Sequence, residues 1–129
     1  MTKQIIFECS IAVFVISVLV FLQYYFMEHL LFNTYPYTGV VLHFIGGICV
    51  ALISKDIWLI SKHYHVVSFP GMRFVLSIVL ITAITWEIIE ILLGWSIDIT
   101  TQNFILECCK DIAITFLGGF FFTMIIRIR

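Results

Sequence analysis

The sequence predicts an all-α membrane protein, a bundle of four helices that each cross the bilayer. Composition is the first observation: of 129 residues, 62% are hydrophobic and 12% are charged, and the mean hydropathy is +1.13. Soluble domains have roughly 45–50% apolar and 25% charged residues. The second observation is four apolar runs, each long enough at about 1.5 Å per residue to cross about 30 Å of hydrocarbon. The third is that the first and third connections contain no lysine or arginine, whereas the two ends of the chain and the region around the second connection do.

The four runs form one transmembrane domain over residues 1–129. They cover about residues 5–27, 39–60, 72–95 and 104–126. The first run has no small-residue cleavage site and is longer than the apolar core of a signal peptide, so we expect it to stay in place as an anchor. The Pro70-Gly71 pair breaks the chain before the third run, and Thr100 or Thr101 can cap the fourth helix.

The basic residues predict the orientation. They lie at the two ends of the chain and around the second connection: Lys3, Lys55, Lys62, Arg73, Arg127 and Arg129. Because cytoplasmic connections carry the excess of lysine and arginine, we expect both termini in the cytoplasm and a multi-pass protein of the plasma or inner membrane. The sequence has no basic run that could bind nucleic acid, so we expect the lipid bilayer and not nucleic acid as a partner.

Two carboxylates interrupt the third apolar run, at Glu87 and Glu90. Each costs about 2.5–3.5 kcal/mol at the bilayer centre on insertion scales, so such residues usually serve a purpose. With Ala83 and Gly94 they occupy roughly 60° of helical arc, which gives this helix one polar, small-residue face. We therefore expect other helices to receive the two side chains.

Ionisable residues of the second and fourth runs reach the same depth. Counted from the outer boundary, His43 lies about 6 Å down, Glu90 about 7 Å and Glu87 about 12 Å. The fourth run adds three residues between about 4 and 11 Å: Glu107, Lys110 and Asp111. The sequence therefore predicts an outward-facing polar pocket lined by His43, Glu87, Glu90, Glu107, Lys110 and Asp111.

Small residues on the second and fourth runs predict where these helices touch. Gly46 and Gly47 lie close to His43 on one stripe of the second run, and Thr115 and Gly118 share roughly 80° of arc with Asp111. Such stripes let membrane helices approach closely. We expect the polar groups beside them to point into the bundle.

Three uses of the polar groups are open. In the first, they only fix helix packing by neutralising one another, Lys110 with Glu107 or Glu90 and His43 with Glu87. In the second, they form a ligand or catalytic site. His43, Glu87 and Asp111 are then the candidate ligands of a divalent metal, although no HExxH motif is present and the four cysteines lack metal-site spacing.

The third use is a conduction path through the membrane. Only a few polar groups would continue such a path through the inner half of the bundle: Glu8, Gln23, Ser54 and Asp56. We expect Glu8 to pair instead with Lys3 or Arg127. A complete relay is therefore weakly supported.

The ordered trio of histidine, glutamate pair and aspartate resembles a known family. Leu42-His43-Phe44-Ile45-Gly46-Gly47, Trp86-Glu87-x-x-Glu90 and Asp111-x-x-x-Thr115-x-x-Gly118-Gly119 look like motifs of the YjdF-type small inner-membrane proteins, which are similar to the VanZ-like group. The resemblance covers about residues 39–120, and this chain has Thr115 where members usually have Asn. It implies a multi-pass protein of unassigned biochemistry, with some relatives linked to glycopeptide-antibiotic tolerance at the envelope.

The function we expect is binding or processing of an envelope lipid head group, an envelope precursor or a similar polar ligand. Glu87 or Asp111 would act as base or anchor, His43 as its proton partner, and Lys110 would attract a phosphate. The alternative is a structural or accessory bundle whose polar cluster only fixes packing. Whether the chain is an enzyme is left open, and four spans are compatible with a homo-oligomer.

Overall fold

The computed structural model describes residues 2–29, 35, 37–64, 70–95 and 103–126. They form four α-helices: α1 (Thr2–Glu28), α2 (Tyr37–His63), α3 (Gly71–Leu93) and α4 (Phe104–Ile126). Each helix is long and apolar enough to cross a membrane, and the described ranges contain no strand. The predicted all-α fold with four long apolar helices is confirmed, whereas the cytoplasmic location of the termini stays a prediction.

The end of α3 differs from the apolar run that predicted it. The run continues to Trp95, but the helix ends at Leu93 because Gly94 adopts a φ of +69°, a left-handed conformation that glycine enters without strain. The N–H of Trp95 donates to the carbonyl of Glu90 at 2.8 Å, and that of Gly94 donates to Ile91 at 3.2 Å. These two bonds satisfy the last carbonyls of the helix, as a glycine cap does.

Consecutive helices run antiparallel. Early α1 meets late α2, where the Cys9 thiol lies 3.5 Å from the Asp56 carboxylate. Late α1 meets late α3 through a hydrogen bond between Gln23 and Glu90. We call the end where α1 and α3 finish and α2 and α4 begin the cluster end, and the other the terminal end.

α2 is the central helix, packed against each of the other three. Its closest partner is α4, which it meets through glycines. A Cβ at Gly47 would collide with the backbone carbonyl of Thr115, and one at Gly118 would collide with that of Phe44. The glycine stripes predicted to be contact faces are therefore where the α2 and α4 backbones touch, as small residues permit in membrane bundles.

A small apolar core lies on the terminal side of the polar residues. Ala51 of α2 and Val75 and Val79 of α3 are fully buried together, and Gly119 of α4 packs its backbone against Val79. This core joins α2, α3 and α4. It fixes the relative rotation of the three helices that carry the polar groups of the cluster end.

α1 is attached differently from the other helices. Its backbone packs against α2 alone within the described ranges, and one side of it, including Phe7, Phe14 and Phe21, is more than half exposed. Ala12 is its close contact point, at 1% exposure. Polar bonds hold α1 near both ends, and an apolar cavity separates its middle from α3.

Candidate functional site

Six polar residues contributed by all four helices meet at the cluster end. We call them the polar cluster: Gln23, His43, Glu87, Glu90, Asp111 and Thr115. Five of them are at most 9% exposed, and Asp111 is half-buried. The predicted meeting of histidine, glutamate and aspartate from separate helices is confirmed. Their role as a binding site stays a prediction.

His43 joins α2 to α4. Its Nδ1 lies 3.2 Å from the hydroxyl of Thr115, and that hydroxyl lies 2.9 Å from the carbonyl oxygen of Asp111, one turn earlier in α4. Because the single hydroxyl proton is donated to this carbonyl, the hydroxyl can only accept from His43. Nδ1 therefore carries a proton, and Nε2 faces the carboxylate of Asp111 at 3.8 Å.

Glu87 lies opposite this pair on α3. One donor atom from each of His43, Glu87 and Asp111 can be chosen so that all three lie within 4.8 Å of one another. Within the described ranges, these three side chains are the group of histidine, cysteine and acidic residues with a metal-compatible arrangement. The thiol of Cys108 adjoins Glu87 from the first turns of α4.

Glu90 has a different environment, one turn further along α3. Its Oε1 accepts from the indole Nε1 of Trp86 at 2.5 Å and from the amide Nε2 of Gln23 at 3.0 Å. Two donors fix the position of this carboxylate. Glu90 therefore ties α1 to α3 and supports the cluster from one side.

Two of the predicted pocket residues, Lys110 and Glu107, lie at the rim of the polar cluster. Lys110 and Glu107 form an ion pair with each other on α4, and their side chains are 45% and 46% exposed. Lys110 also lies 4.0 Å from the carboxylate of Asp111. The alternative pairing of Lys110 with Glu90 is not formed, because Glu90 is already held by Trp86 and Gln23.

The conduction hypothesis predicts Gln23 in the inner half of the bundle, and this prediction is wrong. It lies at the cluster end, five residues before the end of α1, hydrogen-bonded to Glu90. The sequence could have predicted this position, because Gln23 lies about as far from the outer end of the first apolar run as Glu90 lies below the outer boundary. Because Gln23 lies at the cluster end, it is not available to continue a conduction path through the inner half of the bundle.

A second polar group occupies the terminal end. Lys55 of α2 lies 2.5 Å from Glu8 of α1 and 3.0 Å from its own neighbour Asp56. Asp56 is 1% exposed and also receives the Cys9 thiol. Glu8 thus pairs with Lys55. Of the partners we expected for it, the side chain of Lys3 and residue Arg127 lie outside the described part of the chain.

An apolar cavity of about 170 Å³ opens between α1, α2 and α3. Aliphatic side chains form most of its wall, among them Ile16, Leu19 and Val20 of α1. His43 and Thr115 of the polar cluster also line it, beside Gln23. A cavity of about 150 Å³ holds a benzene-sized group, so this one has room for a short stretch of hydrocarbon.

The arrangement joins an apolar cavity to a cluster rich in negative charge. The cluster and its rim contain four carboxylates, those of Glu87, Glu90, Glu107 and Asp111, and one lysine, Lys110. Buried charges are retained in proteins when they are paired or bind a cation. This chemistry suits a cation or a ligand with its own hydrogen-bond donors.

No protein-family model, no curated protein and no solved structure matches this chain.

Proposed function

We propose that this protein binds a membrane lipid, with the polar head group at the polar cluster and part of one hydrocarbon chain in the cavity. The observation that carries the proposal is that the two sites are continuous. His43 and Thr115 belong to both the polar cluster and the cavity wall. An amphipathic ligand matches such a site, because its two halves need these two environments side by side.

The attachment of α1 supports a route from the bilayer. In its middle, α1 leaves the cavity between itself and α3, while polar bonds hold it near each end. A hydrocarbon chain can enter sideways between these helices without crossing a polar surface. In this proposal the rest of the lipid stays in the bilayer.

The rim favours a phosphate-bearing head group. Lys110 pairs with Glu107 and lies near Asp111, but its side chain is 45% exposed, so its ammonium group can also contact a phosphate from outside the bundle. An ammonium group attracts phosphate as a point charge. We place this site in the outer leaflet of the plasma or inner membrane, on the distribution of basic residues, and we retain kinship with the YjdF-type proteins as part of the proposal.

The proposal is tested by filling the cavity. Val20→Trp places an indole in the cavity, whereas Val18→Trp makes the same change on the same helix at a residue that is 39% exposed and outside the cavity wall. Lipids bound to the purified proteins are measured by native mass spectrometry after exchange into phosphatidylglycerol or into diacylglycerol with the same chains.

We expect the unmodified protein and Val18→Trp to retain phosphatidylglycerol in preference to diacylglycerol, and Val20→Trp to lose it. Lys110→Gln should reduce the preference for the phospholipid. Equal retention by both tryptophan variants would overturn the cavity assignment. Equal retention of the two lipids would overturn the head-group assignment.

One observation favours the structural alternative. Gln23, Trp86 and Glu90 form a bonded group whose evident effect is to join two helices. If His43, Glu87 and Asp111 act in the same way, the cluster fixes packing alone. Isosteric substitutions of Glu87 and Asp111 separate the two proposals.

A further inference from the structure

We infer that His43, Glu87 and Asp111 form a binding site for a divalent transition-metal ion such as Zn²⁺. The three residues come from α2, α3 and α4, and their donor atoms lie within 4.8 Å of one another. Ligands at about 2.0–2.2 Å from a tetrahedral zinc ion lie roughly 3.3 Å apart. Small side-chain rotations therefore bring the three donors to ligand distance.

The hydrogen bonds of His43 supply an independent reason. Thr115 accepts from Nδ1, so the other ring nitrogen, Nε2, is the one directed at Asp111. At 3.8 Å, this nitrogen is beyond hydrogen-bond distance from the carboxylate. A neutral ring would direct the lone pair of Nε2 at the carboxylate of Asp111, and His43 is only 9% exposed, so water screens this contact little. The contact is repulsive by itself, and a cation between the two groups makes it attractive.

The Thr115 bond is also the one that a metal site needs. A histidine ligand commonly donates its second ring N–H to a neighbouring acceptor, which fixes the ring and its tautomer. Here Thr115 accepts that N–H and is itself held by the backbone of α4 at 2.9 Å. The ring of His43 is therefore already oriented with Nε2 toward the two carboxylates.

Charge favours an ion at this position. Lys110 is engaged with Glu107, and Trp86 and Gln23, which bind Glu90, are both neutral. Apart from His43, which is itself a ligand in this proposal, Glu87 and Asp111 thus share the 4.0 Å contact of Lys110 with Asp111 as their cationic compensation among the described residues. A dication supplies the remaining charge. The terminal end does not need one in this way, because Lys55 contacts both Glu8 and Asp56.

The donor set restricts the metal. One imidazole and two carboxylates suit Zn²⁺ or Mn²⁺ better than Mg²⁺ or Ca²⁺, which prefer oxygen alone. Three protein ligands leave a fourth position open. Water would fill this position in the absence of lipid, so the metal site stands without the lipid proposal. A head-group phosphate oxygen there would connect the two.

The test uses the full chain, purified in detergent, delipidated and stripped of metal with a chelator. Zn²⁺ alone is titrated by calorimetry, and Co²⁺ is added in parallel because its visible absorption reports nitrogen and oxygen coordination. We expect one Zn²⁺ per chain. His43→Gln, Glu87→Gln and Asp111→Asn should each abolish this binding. Thr115→Val should weaken it by about 10–100-fold, since it removes the acceptor that orients the ring.

Glu28→Gln is the matched control, an exposed carboxylate at the end of α1 that lies outside the three-residue group. It should keep full stoichiometry and the same Co²⁺ spectrum. The inference is overturned if stoichiometric Zn²⁺ binding is absent, or if Glu28→Gln weakens it as much as Glu87→Gln does. Should a ligand variant fail to fold, Thr115→Val and the Co²⁺ spectrum still decide. Because no lipid is present, failure here is distinct from failure of the lipid proposal.

Discussion

Gln23 of α1 and Glu90 of α3 are joined by a 3.0 Å hydrogen bond across two helices whose backbones do not otherwise pack together in the described ranges. The bond closes the cavity at the cluster end and shares its acceptor oxygen with Trp86. The position of α1 relative to α3 therefore depends on this polar contact together with the packing of α1 against α2. This dependence can be measured.

Gln23→Leu should loosen α1 from α3. We expect the free energy of unfolding to fall by about 1 kcal/mol, since buried hydrogen bonds between membrane helices contribute about 0.6 kcal/mol on average and up to about 1.7. Tryptophan fluorescence during unfolding in sodium dodecyl sulfate measures the change, with Trp86 as a local reporter. Ser17→Ala is the control, because this exposed hydroxyl bonds only to Val13 of its own helix. A similar loss in both variants would contradict the role of Gln23.

The glycine pair on α2 predicts opposite effects for neighbouring positions. Gly47→Ala forces a methyl group into the backbone of Thr115 and should cost about 1–3 kcal/mol, as overpacking does. Gly46→Ala meets Leu19 at 4.0 Å, an ordinary contact, and should be neutral or stabilise by up to about 1 kcal/mol through helix propensity. Thermal unfolding in detergent compares them. Equal destabilisation would mean that α2 and α4 do not meet at Gly47.

Removing the lysine at the terminal end should be costly. Lys55→Met leaves Asp56 buried without its cation, and breaking a buried pair in this way costs about 3–5 kcal/mol. Lys62→Met, on the exposed end of the same helix, loses a contact with the Trp58 ring and should cost less than about 1 kcal/mol. Adding Asp56→Asn to Lys55→Met should recover part of the stability. Unfolding curves that show no recovery would contradict a charge-based cause.

Isosteric amides separate a binding site from a structural cluster. Glu87→Gln and Asp111→Asn keep the shape of each side chain, so a binding site predicts unchanged unfolding curves and lost ligand. Glu90→Gln serves as the control, because its amide oxygen can still accept from Trp86 and Gln23. If Glu87→Gln and Asp111→Asn instead lower stability by about 3 kcal/mol or more, as broken buried pairs do, the structural alternative is supported.

The sequence predicted the helices and the level of the polar cluster for simple reasons. Run length against membrane thickness indicated four spans, and a rise of about 1.5 Å per residue placed His43, Glu87 and Asp111 at similar depths. The structure brings these three together. Depth and helical arc were sufficient because the close α2–α4 contact at Gly47 leaves these two helices little freedom to rotate.

Depth and arc predicted the individual pairings only in part: Lys110 with Glu107, one of two alternatives, is formed, whereas the bond of Gln23 to Glu90 and the pair of Glu8 with Lys55 were not predicted. Glu107 shares its arc with Asp111 but lies one turn nearer the start of α4, where it pairs with Lys110 at the surface. The partner of Glu8 depends on which helix lies beside α1, and hydropathy carries no information about that order. The bonds of Gln23 and Lys55 are tertiary contacts of the same kind. They follow from helix rotation about the bundle axis, which a single sequence does not specify.

The attachment of α1 through α2 and a few polar bonds also has a consequence for biogenesis. α2, α3 and α4 share the glycine contacts and the Ala51–Val75–Val79 core, so they can consolidate as a unit once α4 has left the ribosome. α1 is synthesised before these three helices, packs its backbone on α2 alone within the described ranges, and gains its bond to Glu90 only when α3 arrives. Its docking beside α3 would then be the step that completes the cavity, so a helix translated before the other three would reach its final position after them.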